Sequence, residues 1–141
     1  FRSMKINAEK DGIQWSTKND NRITKVGKLI RATRLDELPQ LFCVIKGDMS
    51  LIGPRPERPE IEKEFLKDIP YYNYRNVIKP GLSGWAQVNY PYGASLDDAL
   101  IKQSYDLYYV KNFSFALDFI IFFKTIRLIF NRRGAIPTGD K

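Results

Sequence analysis

Residues 31–59, RATRLDELPQLFCVIKGDMSLIGPRPERP, form the stretch around which the rest of the chain is organised. Apolar side chains recur in it at helical spacing, at Leu38, Leu41, Phe42 and Ile45. This pattern predicts a short helix whose apolar face packs inward. Gly47 is expected to end the helix, because glycine adopts the left-handed conformation at little cost. A short strand and a rigid, proline-rich loop are predicted to follow.

Two adjacent carboxylates, Asp36 and Glu37, stand where this helix is predicted to begin. Asp36 falls at the predicted N-cap and Glu37 in the first turn, about 100° further round the helix axis, so both can border one site. The positive end of the helix dipole favours ionised Asp36, which suits a carboxylate nucleophile. The same position suits a plain helix cap, because Asp is a favoured N-cap residue.

Prolines alternate with arginines in the loop PRPERP, residues 54–59. Proline fixes its own φ and restricts the residue before it, so Pro54 and Pro56 are expected to hold Arg55 stiffly. A stiffly held guanidinium group suits phosphate recognition through two parallel hydrogen bonds. The alternative is a surface loop with solvated arginines, in which Pro59 is the first residue of the next helix.

The composition is that of a globular chain with an excess of positive charge. Of its 141 residues, 43% are hydrophobic and 28% charged, and the net charge is +7. The length predicts one domain, residues 1–141. The charge indicates an anionic partner: phosphates, nucleic acid or an anionic membrane surface. Cys43 is the single cysteine, which excludes a disulfide within the chain.

The absence of histidine narrows the possible chemistry. It excludes a serine–histidine pair, a phosphohistidine and zinc held by histidine. A nucleophile or base therefore has to come from Asp, Glu, Lys, Tyr, Ser or the single Cys43. A metal ion would be a hard cation held by carboxylates and phosphates, which favours Mg²⁺.

The remaining pattern predicts an α+β fold that is mainly helical, with a few short strands. Helices are predicted over residues 24–33, 59–67, 95–110 and 115–130, a turn over 79–84 and a strand over 85–89. Ser95 followed by Asp98 is a capping signature. The last helix is apolar nearly all round, so it is either a core helix or an interfacial one, and Arg132 and Arg133 follow it.

Charged residues on two of these helices are further candidates for a site. Arg31 and Arg34 are the basic residues nearest the carboxylates and are predicted to face a diphosphate, the alternative being a solvated basic surface. Asp106 lies in mid-helix among aromatic residues. It is interpreted first as an exposed residue paired with Lys102, one turn earlier, and second as a substrate contact.

Several long motifs, in order over nearly the whole chain, resemble those of the bacterial sugar transferases, the monotopic phosphoglycosyl transferases. They occupy residues 1–4 (FRSM), 34–40 (RLDELPQ), 47–50 (GDMS), 53–57 (GPRPE), 79–88 (KPGLSGWAQV) and 106–109 (DLYY). The resemblance implies that Asp36 and Glu37 are the catalytic pair, with Asp36 as nucleophile, and that they hold Mg²⁺. It also implies that the loop around Arg55 helps to bind the phosphates and that the segment with Gln87 lies near the active site, which makes Gln87 a candidate substrate contact.

The resemblance further implies a reaction and a place for it. A sugar 1-phosphate would pass from a UDP-sugar to undecaprenyl (polyprenyl) phosphate through an aspartyl-phosphosugar intermediate, with release of UMP, as the first membrane step of bacterial glycan assembly. The place would be the cytoplasmic face of the inner membrane. Members of the family carry a Lys and a membrane-embedded helix before the first motif, so the chain is expected to be a catalytic fragment that could be soluble. Some members also have an Arg where this chain reads YPYG at residues 90–93, which leaves one phosphate contact unassigned.

Two other functional classes stay open at this point. A basic nucleic-acid-binding domain would explain the charge and the aromatic residues interleaved with arginine at residues 71–75, but not a carboxylate pair beside a rigid arginine loop. A membrane-surface module without turnover would keep the fold and its basic helices. Salt-sensitive DNA binding with no nucleotide chemistry would favour the first of these classes.

Overall fold

Helices make up most of the part of the chain that the computed structural model describes, residues 3–8, 10, 20–90 and 95–130. In chain order they are α1 (Lys25–Ala32), α2 (Gln40–Lys46), α3 (Pro59–Asp68), α4 (Trp85–Asn89), α5 (Leu96–Lys111) and α6 (Phe115–Phe130). Between them lie two 3-10 helices, Leu35–Glu37 and Tyr72–Val77, and two strands, β1 (Ser50–Ile52) and β2 (Gly81–Ser83). The predicted α+β class is confirmed. The assignment of residues 1–141 to one domain stays a prediction.

The four long helices predicted from the sequence are confirmed as α1, α3, α5 and α6, and local signals mark their starts. Thr24 Oγ1 accepts a backbone hydrogen bond at 2.9 Å at the start of α1. Ser95 and Asp98 form the predicted capping box of α5, and Ser114 Oγ accepts a backbone hydrogen bond at the start of α6. Pro59 is the first residue of α3. Such capping contacts involve near neighbours only, so the sequence locates them well.

The two short strands pair in parallel, with Ser50 opposite Gly81. A Cβ atom on Gly81 would lie 2.1 Å from the backbone N of Gly53, so the strands can approach this closely only with glycine there. The turn predicted over residues 79–84 is wrong. Gly81 lacks the positive φ that a type II turn requires, and its N–H donates to Pro54 O at 2.9 Å across the strand pair.

Residues 85–89 form helix α4 and not the predicted strand. Trp85 and Val88 both pack against a buried cluster that includes Tyr109 and Ile121. They are three residues apart, and a helical backbone places such residues on one face whereas a strand places them on opposite faces. Packing against the core therefore overrides the preference of Trp and Val for strands.

Asp36 lies in the 3-10 helix before α2, so its predicted position at an α-helical N-cap is wrong. Pro39 occupies that N-cap position instead. Proline has no N–H to donate, and the regular α-helical segment begins only at Gln40. Gly47 ends α2 as predicted, with φ of 84°.

The apolar face of α2 is exposed, contrary to the prediction that it packs inward. Phe42 is 69% exposed and Ile45 is 81% exposed, while Leu41 is half-buried. The two buried clusters of the described chain form around α5 and contain no residue of α2. They consist of Ile52, Tyr109, Leu117 and Ile121, and of Phe65, Ile69, Tyr72 and Ala99.

Helix α6 is divided between a buried side and an exposed apolar side. Leu117 and Ile121 are buried in the core. Its outward phenylalanines are all more than half exposed: Phe115, Phe119, Phe123 and Phe130. No helix among the described residues is long and apolar enough to cross a membrane. The residues after α6, Arg132 and Arg133 among them, lie outside the described part of the chain.

Candidate active site

Glu37 joins the carboxylate pair to two arginines. Its Oε1 accepts a hydrogen bond from Arg34 Nη1 at 2.8 Å and another from Arg55 Nη2 at 2.9 Å. The side chain of Glu37 is 16% exposed and that of Arg55 is 36% exposed, so the cluster lies at the edge of the protein. Arg34, three residues before Glu37, and Arg55, from the proline-rich loop, thus converge beside the carboxylate pair.

Asp36 supplies an unsatisfied acceptor next to this cluster. Its Oδ1 is buried and accepts no hydrogen bond from the residues that the structure describes. Folded proteins leave few buried polar atoms without a partner, because each one forgoes the hydrogen bonds it made in water. A bound ligand or cation would satisfy this oxygen. The plain helix cap, the structural alternative for Asp36, is not observed.

The arginine of the proline-rich loop is held by contacts as well as by its prolines. Arg75 Nη2 donates to the carbonyl O of Arg55 at 2.5 Å. Arg55 Nη1 donates to Leu82 O at 3.4 Å, in addition to its contact with the carboxylate pair. Pro54 is buried and Pro56 is exposed. The loop is therefore fastened to the rest of the domain at both the backbone and the side chain of Arg55.

An apolar cavity of about 250 Å³ opens beside the carboxylate pair. Of the described residues that line it, only Arg34 and Glu37 are charged. Its apolar walls come from around the start of α2, from β2 and from α6. They include Leu38, Leu41, Leu82, Phe122, Ile126 and Ile129. The cavity can therefore accept a ligand that carries an apolar chain next to a charged group.

Gln87 also lines this cavity, so the structure brings it together with Arg34 and Glu37. Its Nε2 lies 3.5 Å from Leu82 O, the carbonyl that Arg55 also approaches. Its Oε1 is buried and has no donor within the described part of the chain. A contact between Gln87 and substrate stays a prediction.

The oxygen ligands that the carboxylate pair offers are of the kind that Mg²⁺ prefers. Mg²⁺ in phosphate-transfer sites is held by one or two carboxylates and completes its shell with water and substrate phosphates. Asp36 and Glu37 form such a pair, and the unsatisfied Oδ1 of Asp36 is a suitable ligand atom. The described residues contain no cluster of three or more metal-binding side chains, so substrate oxygens would have to complete the shell. Mg²⁺ binding stays a prediction.

Asp106 is not the exposed residue that the sequence suggested. It is 2% exposed, and its Oδ2 forms an ion pair with Arg75 Nη2 at 2.8 Å. Burial raises the pKa of Asp106 to about 6, although the charge of Arg75 acts against the rise. The pairing rule for residues one turn apart considers one helix alone, whereas Arg75 comes from the second 3-10 helix, which packs on α5.

Arg75 is the site residue that the sequence interpretation missed. It lies in the aromatic stretch at residues 71–75, and Asp106 lies in the aromatic stretch at residues 105–109. A lone charge in an apolar surrounding needs an opposite charge nearby. Two such charges, each in an aromatic stretch, were a signal that they pair with each other.

The remaining predicted residues are placed as follows. Arg31 Nε donates to Ser3 Oγ at 2.9 Å, which ties α1 to the segment at the start of the described chain. A contact between Arg31 and a diphosphate stays a prediction. Phe1 and Arg2 of the first motif and residues 91–93 lie outside the described residues.

The chain is similar in sequence to several named bacterial enzymes. The sequence model of the family described as "Bacterial sugar transferase" matches residues 1–132. The chain is 55% identical over 135 residues to the UDP-N-acetylgalactosamine-undecaprenyl-phosphate N-acetylgalactosaminephosphotransferase of Aeromonas hydrophila. The aligned region covers 96% of this chain and 32% of that protein. It is 45% identical over 127 residues to the undecaprenyl-phosphate galactose phosphotransferase of Salmonella typhimurium, covering 90% of this chain and 25% of that protein.

A third relative is named for another sugar. The chain is 41% identical over 133 residues to the UDP-glucose:undecaprenyl-phosphate glucose-1-phosphate transferase of Xanthomonas campestris pv. campestris, covering 92% of this chain and 28% of that protein. The chain thus spans between a quarter and a third of the length of these relatives.

Proposed function

The chain belongs to the bacterial sugar transferase family, and from this premise we propose that it carries the catalytic site for transfer of a sugar 1-phosphate from a UDP-sugar to polyprenyl phosphate. One observation carries the proposal: Arg34 and Arg55 converge on Glu37 beside an unsatisfied Asp36, at the wall of an apolar cavity. This arrangement combines a nucleophile, cations for phosphates and space for an apolar chain.

In the first step, a carboxylate oxygen of Asp36 attacks the β-phosphorus of the nucleotide sugar. A new P–O bond forms to Asp36, and the bond from the β-phosphorus to the bridging oxygen breaks, so that UMP leaves with that oxygen. Arg55 and Arg34, which both bind Glu37 next to Asp36, are the proposed donors to the phosphate oxygens. A guanidinium group can bind a phosphate through two parallel hydrogen bonds. Covalent catalysis divides a difficult displacement between two polyanions into two easier steps.

In the second step, a phosphate oxygen of the polyprenyl phosphate attacks the same phosphorus. The bond between Asp36 and phosphorus breaks, the carboxylate is restored, and the sugar is left on a polyprenyl diphosphate. The cavity lined by Leu38, Ile126 and their apolar neighbours suits the first part of the polyprenyl chain. Its charged lining residues, Arg34 and Glu37, then lie near the phosphate end of the same molecule.

Mg²⁺ bound to Asp36 and Glu37 would supply positive charge that neutralises the diphosphate. The unsatisfied Oδ1 of Asp36 supports this role. The polyprenyl acceptor is a membrane lipid, so we place the reaction at the cytoplasmic face of the inner membrane. The exposed phenylalanines of α6 and the exposed Phe42 and Ile45 of α2 support contact with a lipid surface.

The test is release of UMP from UDP-sugars by the full-length protein in membranes, with polyprenyl phosphate and Mg²⁺. The panel contains UDP-N-acetylgalactosamine, UDP-glucose and UDP-galactose, because the relatives are named for these three sugars. Asp36→Asn keeps the size of the side chain but removes the nucleophile. We expect it to lower turnover by roughly a thousandfold or more. EDTA is expected to abolish turnover of the unmodified protein.

The matched control is Asp48→Asn, an exposed aspartate in the turn after α2, which is expected to leave turnover unchanged. With a labelled sugar and no acceptor, label should remain on denatured wild-type protein and be absent from Asp36→Asn. Substantial UMP release by Asp36→Asn would remove Asp36 from the nucleophile's role. Absence of UMP release from every UDP-sugar tried would overturn the proposed function itself.

A further inference from the structure

We infer that Arg75 and Asp106 form a positioning pair, which fixes the backbone of Arg55 and thereby aims its guanidinium group at the carboxylate pair and the substrate phosphates. Neither residue touches the substrate in this proposal. The inference rests on the proposed function, in which Arg55 is a phosphate contact. It assigns a role to a buried ion pair that lies behind the site.

The contacts of Arg75 connect two parts of the fold. Its Nη2 donates to Arg55 O at 2.5 Å and forms the ion pair with Asp106 Oδ2 at 2.8 Å. Its Nη1 donates to the hydroxyl of Tyr72. Arg75 is 6% exposed and Asp106 2% exposed, so both are held inside the domain. The same guanidinium group therefore holds the loop to helix α5.

The contacts continue from the loop to the carboxylate pair. The side chain of Arg55 donates to Glu37 Oε1 at 2.9 Å, and that oxygen also accepts from Arg34 at 2.8 Å. Contacts to the backbone and to the side chain of Arg55 thus connect α5 to the site through this one residue. Because phosphate recognition by a guanidinium group depends on its orientation, a small shift of the Arg55 backbone would misplace the donors.

The energetics of the pair favour a positional role over a purely stabilising one. Arg75 Nε and Asp106 Oδ1 are both buried without a hydrogen-bond partner among the described residues. A buried ion pair with unsatisfied atoms stabilises a fold less than well-packed apolar side chains of similar volume would. Apolar side chains at these two positions would leave Arg55 O without its donor, and the loop would lose its connection to α5.

The experiment is a double-mutant cycle on the full-length protein, measuring kcat and KM for the UDP-sugar. Arg75→Lys keeps the positive charge opposite Asp106 but loses the planar group that bonds to Arg55 O and Asp106 together. We expect it to lower kcat/KM by roughly tenfold to a hundredfold. Arg55→Lys should show the same division of the loss between kcat and KM. The double variant should be about as impaired as Arg55→Lys alone, because both changes remove one interaction.

The matched control is Gln103→Leu. Gln103 is 5% exposed on α5, one turn before Asp106, and donates to Pro70 O at 2.9 Å, so its loss perturbs the same region without touching Arg55. Its effect on kcat/KM should be small and should add to that of Arg55→Lys. Asp106→Asn is the second variant, which also tests the pair if Arg75→Lys folds poorly. It should reproduce the kinetics of Arg75→Lys.

The possible outcomes separate this inference from the proposed function. If Arg55→Lys is impaired but Arg75→Lys and Asp106→Asn have wild-type kinetics, the positioning pair is overturned and the proposed function stands. Full additivity of Arg75→Lys with Arg55→Lys overturns it as well. Wild-type kinetics for Arg55→Lys overturns both the phosphate contact and the pair that would serve it. The inference is supported if the effects of Arg75→Lys and Arg55→Lys on kcat/KM are strongly non-additive while those of Gln103→Leu and Arg55→Lys add.

Discussion

Single residues at the site combine backbone strain with unmet hydrogen bonding. Arg34 has φ of 57°, a left-handed conformation that is uncommon outside glycine and costs about 1 kcal/mol or more. Asp36 Oδ1 and Gln87 Oε1 are both buried without a donor in the described part of the chain. Strained residues and unsatisfied polar atoms concentrate at functional sites, where a ligand uses them. Their presence around the carboxylate pair supports substrate binding at this point.

Asp106 makes the stability of the protein depend on pH. Burial raises its pKa from the ordinary 3.8 to about 6, against the opposing charges of Arg75 and Lys102, while Glu57 adds to the rise. Between about pH 4 and pH 6 the folded state therefore binds more protons than the unfolded state, so this carboxyl lowers the free energy of unfolding as pH rises. Ionisation of this carboxyl lowers the free energy of unfolding by about 3 kcal/mol in total.

The prediction is that Asp106→Asn, which cannot titrate, lacks this loss of stability. Measured as Tm in detergent, wild type should lose stability relative to Asp106→Asn as pH rises through about 4 to 6. Asp97→Asn, an exposed change on the same helix, controls for the number of carboxylates. A difference between wild type and Asp106→Asn that stays constant over this pH range would contradict the prediction.

At the scale of whole elements, α6 serves both the core and the candidate acceptor cavity. Leu117 and Ile121 fill the core, whereas Ile126 and Ile129 line the cavity. Thr125 Oγ1 lies 2.6 Å from Ser83 Oγ, which fastens α6 to β2 beside that cavity. One helix therefore couples the position of the cavity wall to the strand pair that precedes α4.

Filling the cavity should impair the second step of the proposed reaction and spare the first. Ile126→Trp places a larger side chain in the wall, so we expect KM for polyprenyl phosphate to rise by roughly tenfold. Formation of the labelled covalent intermediate without acceptor should be nearly unchanged. Leu100→Trp, an enlargement on α5 away from the cavity, is the control. Equal impairment of both steps by Ile126→Trp would show that the cavity does not hold the acceptor chain.

The whole molecule combines a net charge of +7 with exposed apolar side chains on α2 and α6. Leu41 of α2 and Ile126 of α6 both line the cavity, so the two helices border it. Basic residues near an anionic bilayer each contribute roughly 1 kcal/mol of attraction, and inserted phenylalanines add apolar burial. The charge and the exposed apolar side chains of α2 and α6 therefore suit contact with an anionic membrane surface.

The chain of 141 residues is expected to bind vesicles with anionic lipid more strongly than neutral ones, and to lose that preference at high salt. Phe42→Ser and Phe123→Ser should each weaken binding by roughly tenfold, because each removes an exposed aromatic side chain. Val77→Ser, also exposed but on the second 3-10 helix, is the control. Cosedimentation measures the binding. Equal binding to anionic and neutral vesicles would contradict the electrostatic part, and an effect of Val77→Ser as large as the others would contradict the assigned surface.

Local chemistry explains the parts of this protein that could be predicted from the sequence. Capping residues such as Thr24, Ser95 and Ser114 act on neighbours a few positions away, so the starts of α1, α5 and α6 were predictable. Gly47 ended α2 for the same reason. The prolines around Arg55 likewise act on adjacent bonds. The carboxylate pair was predictable because Asp36 and Glu37 are adjacent in the sequence.

Two of the errors arose where contacts distant in sequence decide the outcome. The segment around Trp85 became a helix because the core needed Trp85 and Val88 on one face. The apolar face of α2 stayed exposed because the core formed around α5. Periodicity shows that a helix has an apolar face, but it does not show what that face will meet.

By itself, the sequence determined the family, the helices with strong local signals and the residue types at the site. Only the tertiary structure decided that Arg55 meets Glu37, that Arg75 pairs with Asp106 and that an apolar cavity opens beside Glu37. The physical reason is the range of the interactions. Capping, proline and glycine effects act within a few bonds, whereas the Arg55–Glu37 and Arg75–Asp106 ion pairs and the cavity form only when distant segments pack together.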